Sequence, residues 1–183
     1  MQAYKTGLAF AKSEKLPEVI FVSPYTRTKQ TLEEMIRGWP RLARVRAIID
    51  ERIRERNIGT LEVFGDWRIL NIMKPIQGKL FRKQGDYHYR YPQGESKVDV
   101  QFRDRSFFET LTRDFPQKTV LVISHQITIS SIRSLLEYWT EKEFIRFDKE
   151  ENSRNCSLTI YRGDPAQGKD GKLILETFNQ VLY

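Results

Sequence analysis

The chain has 183 residues, 39% hydrophobic and 30% charged, a balance that fits one soluble domain, residues 1–183, with a sizeable core. Its 31 Lys and Arg against 24 Asp and Glu give a net charge of +7, which favours an anionic ligand. No run approaches the roughly 18 apolar residues of a membrane span, so no membrane partner is expected, and one cysteine, Cys156, excludes an internal disulfide framework.

Residues 2–15 read as a helix, with Ala3, Leu8, Ala9 and Ala11 at its small and apolar positions and Pro17 closing it. Val19-Ile20-Phe21-Val22 is a short buried strand. Ser23 follows as an N-cap with Pro24 at the first helical position, and Leu32, Met35 and Ile36 mark the buried face of a helix ending near Gly38. Residues 45–49 form a second strand, leading into the charge run 50–59, which reads as a loop at the sheet edge. Residues 63–93 are the least regular stretch, mixing Phe64, Trp67, Phe81, Tyr87, Tyr89 and Tyr91 with Lys74, Lys79, Arg82, Lys83 and Arg90. An excursion of this length inside a compact domain reads as a lid or specificity insertion.

Ser96-Lys97-Val98-Asp99 matches the capping-box pattern. Val100, Asp104, Phe107, Phe108, Leu111 and Phe115 follow at helical spacing, and only Asp104 breaks the apolar stripe. Val120-Leu121-Val122-Ile123 is another strand, and Ile129, Ile132, Leu135, Leu136 and Trp139 outline a further helix. Residues 156–161 and 173–178 look like a closing strand pair, with turn residues at 163–165 and 168–171.

Two of these strands run into residues suited to phosphate chemistry, at the carboxyl edge where open α/β sheets bind ligands. Arg27 offers a planar fork of permanently charged donors, and His125 is one of only two histidines. The basic residues are scattered rather than gathered in a tract, so nucleic acid is not expected as a partner. No clustered His, Cys and carboxylate set is present, so neither metal nor other cofactor is expected. The first residues carry no charged-then-apolar leader, which points to a cytoplasmic protein; a homo-oligomer is left open.

Five segments in order resemble the histidine phosphatase superfamily, which includes the phosphoglycerate mutases and broad-specificity phosphatases. Ser23-Pro24-Tyr25-Thr26-Arg27-Thr28-Lys29-Gln30-Thr31 is similar to its S-P-x-x-R-x-x-Q-T segment, and Arg54-Glu55-Arg56-Asn57-Ile58-Gly59 to its R-E-x-x-x-G segment. Pro92-Gln93-Gly94-Glu95-Ser96 resembles P-x-G-E-S, Ser124-His125 the strand end bearing its second histidine, and Asn155-Cys156-Ser157 the late N-x-S strand. The resemblance implies a three-layer α/β/α sandwich with a largely parallel sheet. It implies Arg27 as phosphate clamp, His125 as phosphate ligand and catalytic residue, and Glu55 as general acid and then base. Tyr25, Glu95, Ser96 and Gln126 would lie near the substrate, with Gln126 standing where the family has glycine. A surface arginine, a core histidine and a solvated charge run are the plainer readings of Arg27, His125 and Glu55. A carboxylate among Arg52, Arg54 and Arg56 tends towards a low pKa, which suits a base better than an acid.

The family's first motif, a strand ending in Arg-His-Gly whose histidine becomes phosphorylated, has no counterpart here: the histidines are His88 and His125. The resemblance puts that missing strand centrally, between 19–22 and 120–123, leaving facing edges unpaired. A start placed too late or a truncation, a true pseudoenzyme, and a strand from another chain are the three explanations. The expected function is a phosphatase for a small phosphorylated metabolite, acting through a phosphohistidine in the complete protein, with this chain alone inactive. The alternatives are a mutase-type phosphotransferase and a catalytically dead phospho-ligand or partner-binding module.

Overall fold

Four consecutive apolar residues, Val19–Val22, form β1, and all four are buried because the strand lies in the middle of its sheet. It pairs in parallel with β2 (Arg46–Ile49) on one side and with β3 (Val120–Ile123) on the other, in the order β2-β1-β3. Val19 stands opposite Arg46 and Val120, and Val22 opposite Ile49 and Ile123. The ladder runs on past the strands: Ser23 N–H donates to the Ile123 carbonyl and Asp50 N–H to the Val22 carbonyl, each at 3.0 Å. The computed structural model describes residues 1–13, 15–151, 153–167 and 171–183. They fall into two compact units, one of residues 1–54, 109–124 and 152–183, the other of residues 55–108 and 125–151.

The first unit contains this sheet together with α1 (Gln2–Ser13) and α2 (Thr26–Gly38). Ile20, Val22, Met35, Trp39, Leu42 and Ile123 form its core, with Phe10 stacked on Trp39 at 6.0 Å. Phe115 meets Phe21 edge-on at 5.4 Å. A separate antiparallel pair, β4 (Leu158–Asp164) and β5 (Lys172–Gln180), closes the unit, and Tyr183 ties the end of the chain to its start by accepting from Gln2 and donating to the Asn155 carbonyl.

The second unit is helical: α3 (Thr60–Phe64), α4 (Trp67–Met73), α5 (Pro75–His88), most of α6 (Lys97–Asp114), α7 (Gln126–Leu136) and α8 (Glu141–Glu150). Lys97 is buried and bonds Asp86 at 2.7 Å and Asp148 at 2.5 Å, so one ammonium joins α5, α6 and α8. Burying it is tolerable because both partners are carboxylates. Arg133 of α7 lies over the rings of Trp139 and Phe147 at 4.8 and 4.7 Å and pairs with Glu137.

Several sequence expectations are corrected here. No strand fits between β1 and β3, because both edges of β1 are already hydrogen-bonded. Among the described residues the open edges of the parallel sheet are the outer ones of β2 and β3. Residues 63–93 are not irregular but mainly helical; Gly65 in the left-handed region and Pro75 divide α3, α4 and α5. Helix α8 was not anticipated, although Thr140 and Glu143 form a full capping box at its start. Of the expected turn at 168–171, residues 168–170 lie outside the described residues. The α/β class stands, as do β1, β3 and the closing strand pair. Among the described residues no helix is long and apolar enough to cross a membrane.

The buried centre and the exposed edge of the sheet predict unequal costs of truncation. Ile20→Ala, at 1% exposure, should lose about 2–5 kcal/mol, whereas Ile49→Ala, at 58%, should lose less than about 1 kcal/mol. Denaturant unfolding of the two variants checks this.

Candidate active site

Because β1, β2 and β3 are parallel, their carboxyl ends share one edge, and the first unit builds a polar rim there. Ser23 is fully buried; its hydroxyl accepts from Tyr25 N–H at 3.5 Å, and its carbonyl accepts from the Thr28 hydroxyl at 2.9 Å. The N-cap of α2 is therefore Tyr25, not Ser23, and the helix starts at Thr26 rather than Pro24. The difference arises because Ser23 spends its polar groups on the turn that precedes the helix. Arg27 then falls in the first turn, exposed, with its guanidinium 4.9 Å from the centre of the Tyr25 ring. At the end of β2, Arg52 donates to Asp50 through Nε at 3.0 Å and Nη2 at 2.7 Å, and to Thr110 at 2.8 Å. Burial works against the Asp50 carboxylate, but the bonds from Arg52 outweigh it and hold its pKa below the ordinary value. Arg52, expected to depress Glu55, thus has a carboxylate of its own.

In the second unit the segments 54–59 and 92–96 interlock. Glu95 N–H donates to the Asn57 carbonyl at 2.7 Å, Thr60 N–H to the Pro92 carbonyl at 3.0 Å, and Asn57 N–H to Glu95 Oε2 at 2.9 Å. The approach needs both glycines: a Cβ on Gly59 would stand 2.2 Å from the Pro92 carbonyl oxygen, and one on Gly94 2.7 Å from that of Asn57. Gly59 also has a φ of +55°. Glu95 is further held by Arg103, whose Nε donates to Oε1 at 3.0 Å and whose Nη2 donates to Oε2 at 3.4 Å. On the loop so fixed, Glu55 is half-buried and its Oε1 accepts from Arg56 N–H at 2.9 Å. Arg56 lies over the Tyr91 ring at 5.6 Å, and its Nη1 is buried with no hydrogen-bond partner among the described residues.

Ser96, expected near the substrate, closes the capping box of α6: its hydroxyl donates to Asp99 Oδ2 at 2.7 Å and accepts from Asp99 N–H at 3.2 Å. His125 is 6% exposed and is the N-cap of α7, its carbonyl accepting from Ile129 N–H at 2.9 Å. Gln126 is the first residue of that helix. A helix N-terminus favours negative charge beside it. His88 is exposed and its Nε2 lies 3.1 Å from Glu141 Oε2, which makes it a surface residue of α5. Glu55, Glu95, Ser96, His125 and Gln126 thus belong to the second unit, and Tyr25 and Arg27 to the first. Among the described residues no group of three or more His, Cys, Asp or Glu could hold a metal.

Asp104 broke the apolar stripe of its helix in the sequence, and the structure shows where it goes. It sits on the buried face of α6 with no exposure, and its Oδ1 accepts from Arg103 Nη1 at 3.3 Å. Its Oδ2 and the hydroxyl of Ser131 on α7 are both buried as neighbours. Burial pushes the carboxyl up to about 7; the Ser131 hydroxyl and Arg103 oppose the rise, and the charges of Glu95 and Glu55 add to it. The contacts of Arg56, Arg103 and Asp104 were not legible in the sequence, since nothing in their spacing shows which carboxylate or ring they meet.

Comparison with known proteins agrees with this geometry. The family model of the histidine phosphatase superfamily (branch 1) matches residues 1–172. The chain belongs to that superfamily. The phosphoglycerate mutase-like protein AT74H of Arabidopsis thaliana is 32% identical over 151 residues, covering 76% of this chain and 50% of that protein. The broad-range acid phosphatase DET1 of Saccharomyces cerevisiae is 32% identical over 110 residues, 56% of this chain and 31% of its own length. The chain thus spans half or less of these two relatives. Among solved structures, a mycobacterial glucosyl-3-phosphoglycerate phosphatase shares the fold, with a TM-score of 0.69 at 20% identity over 98% of this chain and 83% of that one.

The raised carboxyl of Asp104 makes a signed prediction. Its folded pKa, about 7, lies above the unfolded value, so the native state keeps a proton that the unfolded state loses, and stability falls as pH rises from about 4 to about 7. Asp104→Asn cannot titrate. Relative to the parent it should gain on the order of 2–4 kcal/mol by pH 8 and little at pH 4. Urea unfolding across that range measures the difference.

Proposed function

We propose that the protein is a phosphatase that hydrolyses a small phosphorylated metabolite, through a phosphohistidine in the complete protein. The observation that carries the reading is the presentation of Glu55. A carboxylate oriented by Arg56 N–H stands on a loop locked by Glu95, next to a guanidinium nitrogen that lacks an acceptor. Arg27 serves as phosphate clamp and His125, at the N-terminus of α7, as ligand to the phosphoryl oxygens. Arg56 Nη1 is a further donor to the same class of anion.

In the first step a histidine nitrogen attacks phosphorus, the bond from phosphorus to the ester oxygen breaks, and that oxygen takes the proton of the Glu55 carboxyl. In the second, water loses a proton to Glu55 as its oxygen bonds phosphorus, the phosphorus–nitrogen bond breaks, and orthophosphate leaves. The attacking histidine is neither His88, on the surface and paired with Glu141, nor His125, the phosphate ligand. We assign it to a strand outside these 183 residues, and the open outer edge of β3 is the place for that strand. A phosphatase is preferred to a mutase because the aromatic stretch from Tyr87 to Tyr91 resembles that of phosphatase-like relatives more than that of the glycolytic mutases.

An aryl phosphate assay compares this chain with a version extended at its N-terminus by a strand ending in Arg-His-Gly. The extended protein should turn over and this chain should not, and Glu55→Gln in the extended protein should lower kcat by about 10²–10⁴. Equal activity from both proteins would refute the assignment of the nucleophile.

A further inference from the structure

One face of the second unit is apolar and points to solvent. Ile69, Ile72 and Met73 of α4 and Ile76 in the first turn of α5 are 47%, 75%, 64% and 57% exposed. Within α4, Ile69, Ile72 and Met73 are spaced i, i+3 and i+4, a stripe that ordinarily faces a core, and Ile76 opens the next helix just beyond the break at Lys74. The inner side of the same helix pair already has its core. A Cβ on Gly78 would lie 1.8 Å from the Asn71 side chain, the Trp67 and Phe81 rings are 5.8 Å apart, and Phe81 meets Tyr89 edge-on at 5.2 Å. The outward stripe is therefore a second apolar surface, and large aliphatic side chains grouped at such exposure mark a binding face.

Charge decides what it fits. Residues 67–83 contain Arg68, Lys74, Lys79, Arg82 and Lys83, all exposed, and no carboxylate. A second copy docking through this face would bring five cations against five. A bilayer with anionic headgroups instead offers apolar depth to the stripe and negative charge to its flanks, the two signals that together give stable peripheral attachment.

We propose that α4 and the start of α5 form a docking face for an anionic lipid surface. The sequence expectation of no membrane partner rested on the lack of a spanning segment, and a helix pair lying in the interface needs none. The proposal does not draw on the phosphatase reading, and its test separates the two.

Flotation with vesicles of phosphatidylcholine, alone or mixed with phosphatidylserine, provides that test. The 183-residue chain should partition at least about tenfold more onto the anionic vesicles, and less as salt rises. The double substitution Ile72→Ser with Met73→Ser should cut the partition about tenfold while leaving thermal unfolding nearly unchanged, since both residues are exposed. Arg82→Ala with Lys83→Ala should also weaken it. Arg27→Ala should not, which distinguishes the face from capture of headgroup phosphate by the proposed catalytic residues. Failure to float with anionic vesicles at low salt would overturn the proposal, as would equal partition of the Ile72/Met73 variant. A dimer abolished by that variant, with vesicles ignored, would assign the face to a second copy.

Discussion

The second unit turns on one carboxylate, that of Glu95. Two oxygens receive three donors, Asn57 N–H and two nitrogens of Arg103. Segments 38 residues apart are thereby held backbone to backbone, close enough that only glycine fits at 59 and 94. The Glu95 and Arg103 side chains are 14% and 11% exposed, so the pair is shielded from water and neither charge could be left alone cheaply. Glu55 owes its position to this device, because the loop that bears it is the loop that Glu95 holds.

Within each unit several charges are matched in small groups. Arg52 takes Asp50, Lys97 takes Asp86 and Asp148, Arg133 takes Glu137, and Arg103 takes Glu95 with one nitrogen left for Asp104. Each pair accounts for a charge that composition alone would assign to anion binding. Among the described residues the buried polar atoms that stand outside this scheme include Arg56 Nη1 and Asp104 Oδ2. One is a donor suited to an incoming phosphate, and the other belongs to a carboxyl that holds its proton up to about pH 7.

Much of this was legible in the sequence. The apolar run Val19–Val22 and the capping box at Ser96 depend on local rules, period and cap chemistry, and both came out as read. The motif order placed Arg27 in a first helical turn and His125 at a helix start. Sequence did not reveal what depends on partners far along the chain. Ser23 reads as an N-cap, yet its hydroxyl and carbonyl serve the preceding turn. The missing strand was placed between β1 and β3 because chain order says nothing about which edges pair. The segment from 63 to 93 lacks a clean period because α4 and α5 carry apolar residues on two faces, one packed on aromatic rings and one turned to solvent. Asp104 showed as a break in a stripe, but only its burial beside Arg103 says why it matters.

Glu95 and Arg103 act as one device that shapes the loop bearing Glu55, the loop proposed to meet phosphate. A double-mutant cycle read by calorimetric titration with orthophosphate tests it most directly. Glu95→Ala and Arg103→Ala should each weaken binding by about tenfold, and the double variant should be no weaker than the worse single, because either change already releases the loop. Losses that add in the double variant, or an affinity that neither change alters in folded protein, would contradict the account.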